Sequence, residues 1–147
     1  MSKKYKLLDE CIDFNGHKLF RIQALKDFSN VKVGDIGGYI ESEKNLSQYG
    51  DCWVSGNAEL YDNAKVYGNA KVYGSAWICG NAKVSGNAKV YGNAWIYGNA
   101  WICGNAEVYG DAKVLGNAEL YGDAKVYGNA WICGEFGLFG YIEEIKE

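Results

Sequence analysis

A strict six-residue repeat occupies more than half of this chain. Fourteen consecutive units run from Asp51 to Gly134 without an insertion, each reading [Asn/Asp/Ser]-[Ala/Cys]-x-[Val/Ile/Leu]-x-[Gly/Asp]. A unit this short cannot bury its own apolar face, so neighbouring units have to stack into a solenoid that is stabilised by contacts between them. The repeat therefore predicts an all-β fold, a single-stranded parallel β-solenoid.

The residue types within each unit predict its shape. The Ala and aliphatic positions alternate with two variable positions, which is the pattern of a short strand with an apolar inner side. Gly, Asn and Asp tolerate left-handed backbone angles, so we expect the Gly-Asn step to turn the chain. The same tolerance explains why the first position is Asn or Asp in thirteen units. Three units per coil would give an 18-residue period, and two would give a flattened 12-residue coil.

The outward-facing residues favour the 18-residue coil. At that spacing one side, the tyrosine face, carries a column of tyrosines next to a column of mostly lysines, whereas a 12-residue spacing scatters the tryptophans over both sides. The tyrosine column consists of Tyr73, Tyr91, Tyr109 and Tyr127. A second side, the tryptophan face, consists of Trp77, Trp95 and Trp131 beside Tyr61, Cys79, Tyr97, Leu115 and Cys133. The third side is mixed and includes Trp101 between Lys83 and Glu119.

The ends of a solenoid need caps, because open strand edges recruit other chains. Asn15-Gly16 lies between two apolar runs and is a strong signal for a tight β-hairpin. We therefore expect residues 1–50 to form an N-terminal β-hairpin and capping segment, 51–134 to form the solenoid, and 135–147 to form a C-terminal cap and tail.

Two resemblances to known proteins follow from these motifs. The recurring Val-Tyr-Gly-Asn-Ala-Lys pattern of residues 51–134 resembles the hexapeptide repeat of left-handed parallel β-helices. The segments Leu19–Phe28 and Gly34–Glu41 resemble the leader of phage- and bacteria-encoded hexapeptide-repeat proteins, most of them uncharacterised. The resemblance implies a left-handed coil and a phage or prophage accessory protein, and it supplies no activity.

Catalytic and metal-binding motifs are not recognisable. Hexapeptide-repeat acyltransferases use a histidine as general base, but the single histidine here, His17, lies near the hairpin turn and is interpreted as an exposed turn residue. Five cysteines without a Cys-x-x-Cys pair are typical of reduced thiols in a cytosolic protein. We expect no catalytic residues, no metal and no cofactor, and hence no enzyme; a divergent acyltransferase using His17 is an alternative.

Charge and hydropathy exclude two classes of partner. The net charge is −3 and both signs are interspersed, so no basic stripe indicates nucleic-acid binding. No apolar run reaches the roughly 20 residues of a membrane span or the length of a signal peptide. We therefore expect a cytoplasmic protein that binds neither nucleic acid nor membrane.

The tryptophan face suggests a function, because proteins seldom leave such an apolar strip uncovered. Its occupant could be a second copy of the chain in a dimer or trimer, a different protein, or the chain's own N-terminal hairpin. The leading hypothesis is a non-enzymatic scaffold that self-associates through this face and occludes a host factor such as a defence protein. The alternative is a small-ligand protein that stacks a nucleotide-like molecule on aromatic residues between protomers.

Overall fold

Three sheets enclose a single core in the computed structural model, which describes residues 3–133 and 137–139. The chain begins with an antiparallel hairpin, β1 (Tyr5–Phe14) and β2 (His17–Ala24), followed by β3 (Ile36–Ile40) and one turn of 3₁₀ helix (Glu43–Asn45). The predicted hairpin around Asn15-Gly16 is thus present. Apart from 137–139, the predicted C-terminal cap lies outside the described residues.

Short strands recur every six residues after residue 50. They are β4 (Trp53–Val54), β5 (Glu59–Leu60), β6 (Lys65–Val66), β7 (Lys71–Val72), β8 (Trp77–Ile78), β9 (Lys83–Val84), β10 (Lys89–Val90), β11 (Trp95–Ile96), β12 (Trp101–Ile102), β13 (Glu107–Val108), β14 (Lys113–Val114), β15 (Glu119–Tyr121), β16 (Lys125–Val126), β17 (Trp131–Ile132) and β18 (Gly137–Phe139).

Each short strand from β4 to β15 pairs in parallel with the strand three units further along the chain. The first sheet has the order β1-β2-β3-β5-β8-β11-β14-β17, the second β4-β7-β10-β13-β16, and the third β6-β9-β12-β15-β18. The register places Trp77 beside Trp95 and Lys71 beside Lys89. The three-sided coil of 18 residues is therefore confirmed, and the hexads make about five coils.

The inner positions of the repeat form the core, as the alternation predicts. The alanines from Ala58 to Ala124 and the aliphatic residues from Val54 to Val126 are exposed by 1% or less, and Cys52 takes the alanine position of the first unit with 0% exposure. A column of Ala beside a column of Val, Ile and Leu therefore fills the interior of the coil. The outward residues are thereby held on a rigid frame.

The corners differ from the prediction in which residue turns the chain. Glycine at the sixth position takes the positive φ, and the only described non-glycine residues with positive φ are Asn15, Ser29 and Asp62. The corner asparagines contribute instead through their side chains, which hydrogen-bond from one coil to the next. Asn81 donates an Nδ2 hydrogen bond to the Oδ1 of Asn99 at 3.2 Å, and Asn99 donates to Asn117 at 3.1 Å. The asparagine side chains at the corners therefore form a hydrogen-bonded ladder between coils.

A buried lysine helps to close the N-terminal end of the solenoid. The Lys4 side chain is 1% exposed, and its ammonium donates to the carbonyl oxygens of Cys52 at 2.7 Å and Gly50 at 3.2 Å. Burial lowers the pKa of Lys4. Carbonyls at the first coil have no coil below them to donate hydrogen bonds, so the lysine satisfies groups that would otherwise be orphaned.

Replacing a corner glycine tests how closely the coils approach. Gly98 has a φ of 71°, and a Cβ there would lie 2.8 Å from the nitrogen of Gly116; Gly34 has a φ of 94° with nothing within 4 Å. Left-handed strain costs roughly 1–2 kcal/mol, which is the loss expected in the unfolding free energy of Gly34→Ala. Gly98→Ala should lose more, because its coils must also separate. Urea denaturation measures both, and equal losses would contradict the close approach.

Candidate functional site

The N-terminal hairpin packs on the first part of the tryptophan face. Phe14, at the end of β1, places its ring edge-on to Trp77 at 4.6 Å between centroids and to Tyr61 at 5.8 Å. Leu19 of β2 and Tyr39 of β3 join Tyr61 in a small apolar cluster. One of the three expected occupants, the chain's own hairpin, therefore covers this end of the face.

Tyr61 is removed from the open surface by this packing. It is 7% exposed, and burial raises its pKa, with a hydrogen bond to the Cys79 thiol adding to the shift. A partner could reach Tyr61 only if the hairpin left the solenoid. The sequence pattern could not show this, because it places Tyr61 in the same column as Tyr97 without recording what packs over each.

The faces of the two central indoles are occupied. Trp77 and Trp95 stack at 4.7 Å with an interplanar angle of 5°, and the Lys113 ammonium lies 4.9 Å from the centroid of the Trp95 ring. Phe14 contacts the other end of this stack. The column therefore presents ring edges to the outside, which suits an apolar surface contact better than the insertion of a flat molecule.

The open part of the face lies beyond the hairpin. Trp131 is 47% exposed, while Trp95, Tyr97 and Leu115 are half-buried. An indole with nearly half of its surface in water, next to further apolar side chains, is typical of an interaction site. Trp95 lies on β11 and Trp131 on β17 of one sheet, and Tyr97 and Leu115 directly follow β11 and β14. Lys113 of β14 lies between Trp95 and Trp131 in the register.

A second cluster fixes the hairpin to the solenoid. The Nδ1 of His17 lies 3.0 Å from the Oε2 of Glu41, and its Nε2 lies 3.3 Å from the Oδ1 of Asp62. The amide of Asp62 donates to the Oε1 of Glu41 at 2.7 Å, and the amide of Gly80 donates to the Oδ2 of Asp62 at 3.1 Å. The interpretation of His17 as an exposed turn residue was wrong, because the imidazole bridges two carboxylates and is 27% exposed.

The electrostatics of this cluster favour a protonated histidine. The hydrogen bond to Glu41 raises the pKa of His17, burial opposes the shift, and the charges of Glu41 and Asp62 add to it. The three side chains offer ligand atoms within 4.8 Å of one another, yet a carboxylate faces each ring nitrogen. A proton on each nitrogen can donate to the carboxylate that faces it. A metal ion bound to one ring nitrogen would instead need both carboxylates close to that same nitrogen.

Sequence reasoning missed Glu41 and Asp62, although one signal for Asp62 was available. It is the only residue other than glycine at the sixth position of the fourteen units, and it takes a φ of 57°. A non-glycine residue held in that conformation marks a site where its side chain matters. Glu41 precedes the repeat and carried no such signal.

The tyrosine column forms as predicted. Tyr73, Tyr91, Tyr109 and Tyr127 stack with centroids 4.8, 4.9 and 5.2 Å apart and interplanar angles of 1°, 2° and 9°. The Tyr91 hydroxyl donates to Glu107 at 3.0 Å. The five cysteines are free thiols.

Comparison with known proteins supports the fold. A family model described as YdcK beta solenoid repeat matches residues 64–80, which span nearly one complete coil. Together with the stacked coils, this match identifies a β-solenoid repeat protein. Comparison with curated proteins gives no significant match.

Membrane insertion through a helix is not indicated. Among residues 3–133 and 137–139, no helix has the length and apolar character that crossing a bilayer would require.

The pH dependence of stability tests the histidine bridge. A raised pKa means that the bridge stabilises the fold fully below the ordinary histidine value of about 6.5, and that this contribution is lost as the pH rises through the folded-state pKa. His17→Gln keeps hydrogen-bonding groups but cannot become charged. We expect wild type to exceed His17→Gln in Tm by more at pH 5.5 than at pH 8.5, measured by circular dichroism. A difference independent of pH would contradict a charged bridge.

Proposed function

We propose that this protein is a non-enzymatic β-solenoid scaffold that self-associates through the open part of the tryptophan face. The observation that carries the proposal is Trp131, which is 47% exposed on the same sheet as Trp95, Tyr97 and Leu115. Burying an aromatic side chain of this size on association removes a large apolar area from water. The rigid frame beneath keeps these side chains in place before binding, which lowers the entropy cost of association.

A second copy of the chain is the occupant that we favour. The chain's own Phe14 already packs edge-on against Trp77. The tryptophan face therefore accepts the edge of an aromatic ring, and its own rings present such edges to a second copy. Two copies related by a two-fold axis would place the same strip against itself, as in most dimers. The proposal covers a dimer, or a trimer of the kind seen among left-handed β-helices.

The absence of an enzymatic role is part of the same proposal. His17 is the single histidine of the chain, and both of its nitrogens face carboxylates at 3.0 and 3.3 Å. A general base needs a nitrogen that is free to accept a proton from a substrate. The bridged arrangement supports a structural role for His17 instead.

The resemblance of the leader and the repeat to phage and bacterial hexapeptide proteins extends the proposal. We take the coil to be left-handed and the protein to be a cytoplasmic phage or prophage accessory factor. Its action on a host protein, such as a component of a defence system, would consist of covering a surface. A regular solenoid with rigid, flat sides is suited to this kind of contact.

Two matched tryptophan variants test the self-association. Trp131 and Trp101 are similarly exposed, at 47% and 41%, but Trp101 lies on the third sheet. Truncating an interface hot spot costs about 2 kcal/mol or more, roughly 30-fold in Kd. We expect wild type and Trp101→Glu to be oligomeric and Trp131→Glu to be monomeric in size-exclusion chromatography with light scattering. A wild-type protein that is monomeric at micromolar concentration would remove the proposal.

A further inference from the structure

The tyrosine column ends one ring short of the first coil. The amide of Ser55 donates to the carbonyl oxygen of Val72 at 2.9 Å, which places Ser55 one coil before Tyr73 at the same position of the repeat. Tyr73 stacks on Tyr91 at 4.8 Å with an interplanar angle of 1°. In the described part of the chain no ring stacks on the opposite face of Tyr73, because a serine stands where a fifth tyrosine would continue the column.

An open cleft occupies the place of the missing ring. Its volume is about 610 Å³, and its lining includes Ser55, Tyr73, Trp53 and Ile36. Trp53 is 6% exposed and is fixed by the ring of Phe28 at 5.3 Å, whereas Ile36 is 50% exposed. The cleft thus combines a tyrosine ring and the exposed Ile36 side chain with polar and charged groups, a mixture that suits a flat ring carrying a polar substituent.

Two lysines make the cleft cationic. The ammonium of Lys71 donates to the carbonyl oxygen of Asp51 at 3.0 Å and to the hydroxyl of Ser29 at 3.4 Å. Lys89 lines the cleft from the next coil and is exposed. Asp35 is the acidic residue of the lining, and its carboxylate accepts the Lys32 amide at 2.9 Å. The lining therefore carries two ammonium groups and one carboxylate, and Glu107 lies beside Lys89 on the following coil, outside the lining. An anion complements the net positive charge of the lining.

We propose that this cleft binds a small planar aromatic molecule that carries an anionic group. The ring continues the tyrosine column by stacking on Tyr73 in the space above Ser55, and the anion lies between Lys71 and Lys89. Nucleoside monophosphates and aromatic carboxylates both have this chemistry. The site is formed by one chain, so it is independent of the self-association through the tryptophan face.

Calorimetric titration of the full chain with defined probes tests the ligand class. The probes are AMP, 4-hydroxybenzoate, adenosine and inorganic phosphate; AMP and 4-hydroxybenzoate distinguish the two sources of an aromatic anion. We expect saturable binding of at least one aromatic anion at one site per chain, with adenosine and phosphate binding at least tenfold more weakly. No binding of either aromatic anion, or phosphate binding as tightly as AMP, would overturn the proposal.

A substitution that completes the column tests the location. Ser55→Tyr supplies the missing ring from the protein itself, and it should raise Tm while weakening binding of the aromatic anion by at least tenfold. Ser55→Ala leaves the space open and should bind as wild type does. Binding that survives Ser55→Tyr unchanged in a folded protein contradicts the location.

A charge variant keeps the test decisive if the added ring prevents folding. Lys89→Gln leaves the space and the tyrosine column intact, so its affinity for the anion should fall by about tenfold or more while its Tm stays near that of wild type. The indole N–H resonance of Trp53 should shift on titration in wild type and stay unchanged at the same ligand concentration in Lys89→Gln. Equal affinity in wild type and Lys89→Gln would argue against the anion subsite.

Discussion

Hydrogen bonds between coils, at a spacing of one coil, are the interaction on which the rest of this structure depends. The amide of Trp77 donates to the carbonyl of Ala94 at 2.9 Å, and the amide of Trp95 donates to Ala112 at 3.0 Å. This register repeats around all three sides, so every side chain lies beside the residue 18 positions away. Stacked rings, the asparagine ladder and the closed apolar interior are consequences of that single register, because identical residues recur at equivalent positions.

The stacking determines which functions the outer surface can support. The rings of the Trp77–Trp95 pair and of the tyrosine column stack face to face, with centroids 4.7–5.2 Å apart. Inserting a flat ligand between them would require breaking backbone hydrogen bonds between coils. The outward side of each column therefore presents ring edges for a broad apolar contact. A tyrosine ring lines an open cleft at Tyr73, where the tyrosine column begins. The two binding proposals, protein association and small-molecule binding, therefore concern different places on the molecule.

The repeat allowed the solenoid to be predicted from sequence, since a period of six and the distribution of Trp and Tyr determine the coil length, the inward residues and the columns. Corner chemistry was predicted less well. Composition shows that Gly and Asn share the corner, but only the backbone angles reveal that glycine takes the left-handed conformation and that Asn81 and its equivalents form a ladder. The contacts of the N-terminal hairpin were beyond the sequence, because Phe14 and His17 meet the solenoid through long-range packing that has no periodic signal. The one sequence signal for the contact between the hairpin and the solenoid was Asp62, which stands at a position where the other thirteen units have glycine.

The most direct test of the 18-residue register is the neighbourhood of Asn81, measured by nuclear Overhauser contacts between side-chain amide protons. The structure places the Nδ2 of Asn81 3.2 Å from the Oδ1 of Asn99, so contacts should connect Asn81 with Asn63 and Asn99. A 12-residue coil would instead bring Asn81 next to Asn69 and Asn93. Contacts at the 18-residue spacing would support the columns and both binding proposals, and contacts at the 12-residue spacing would contradict them.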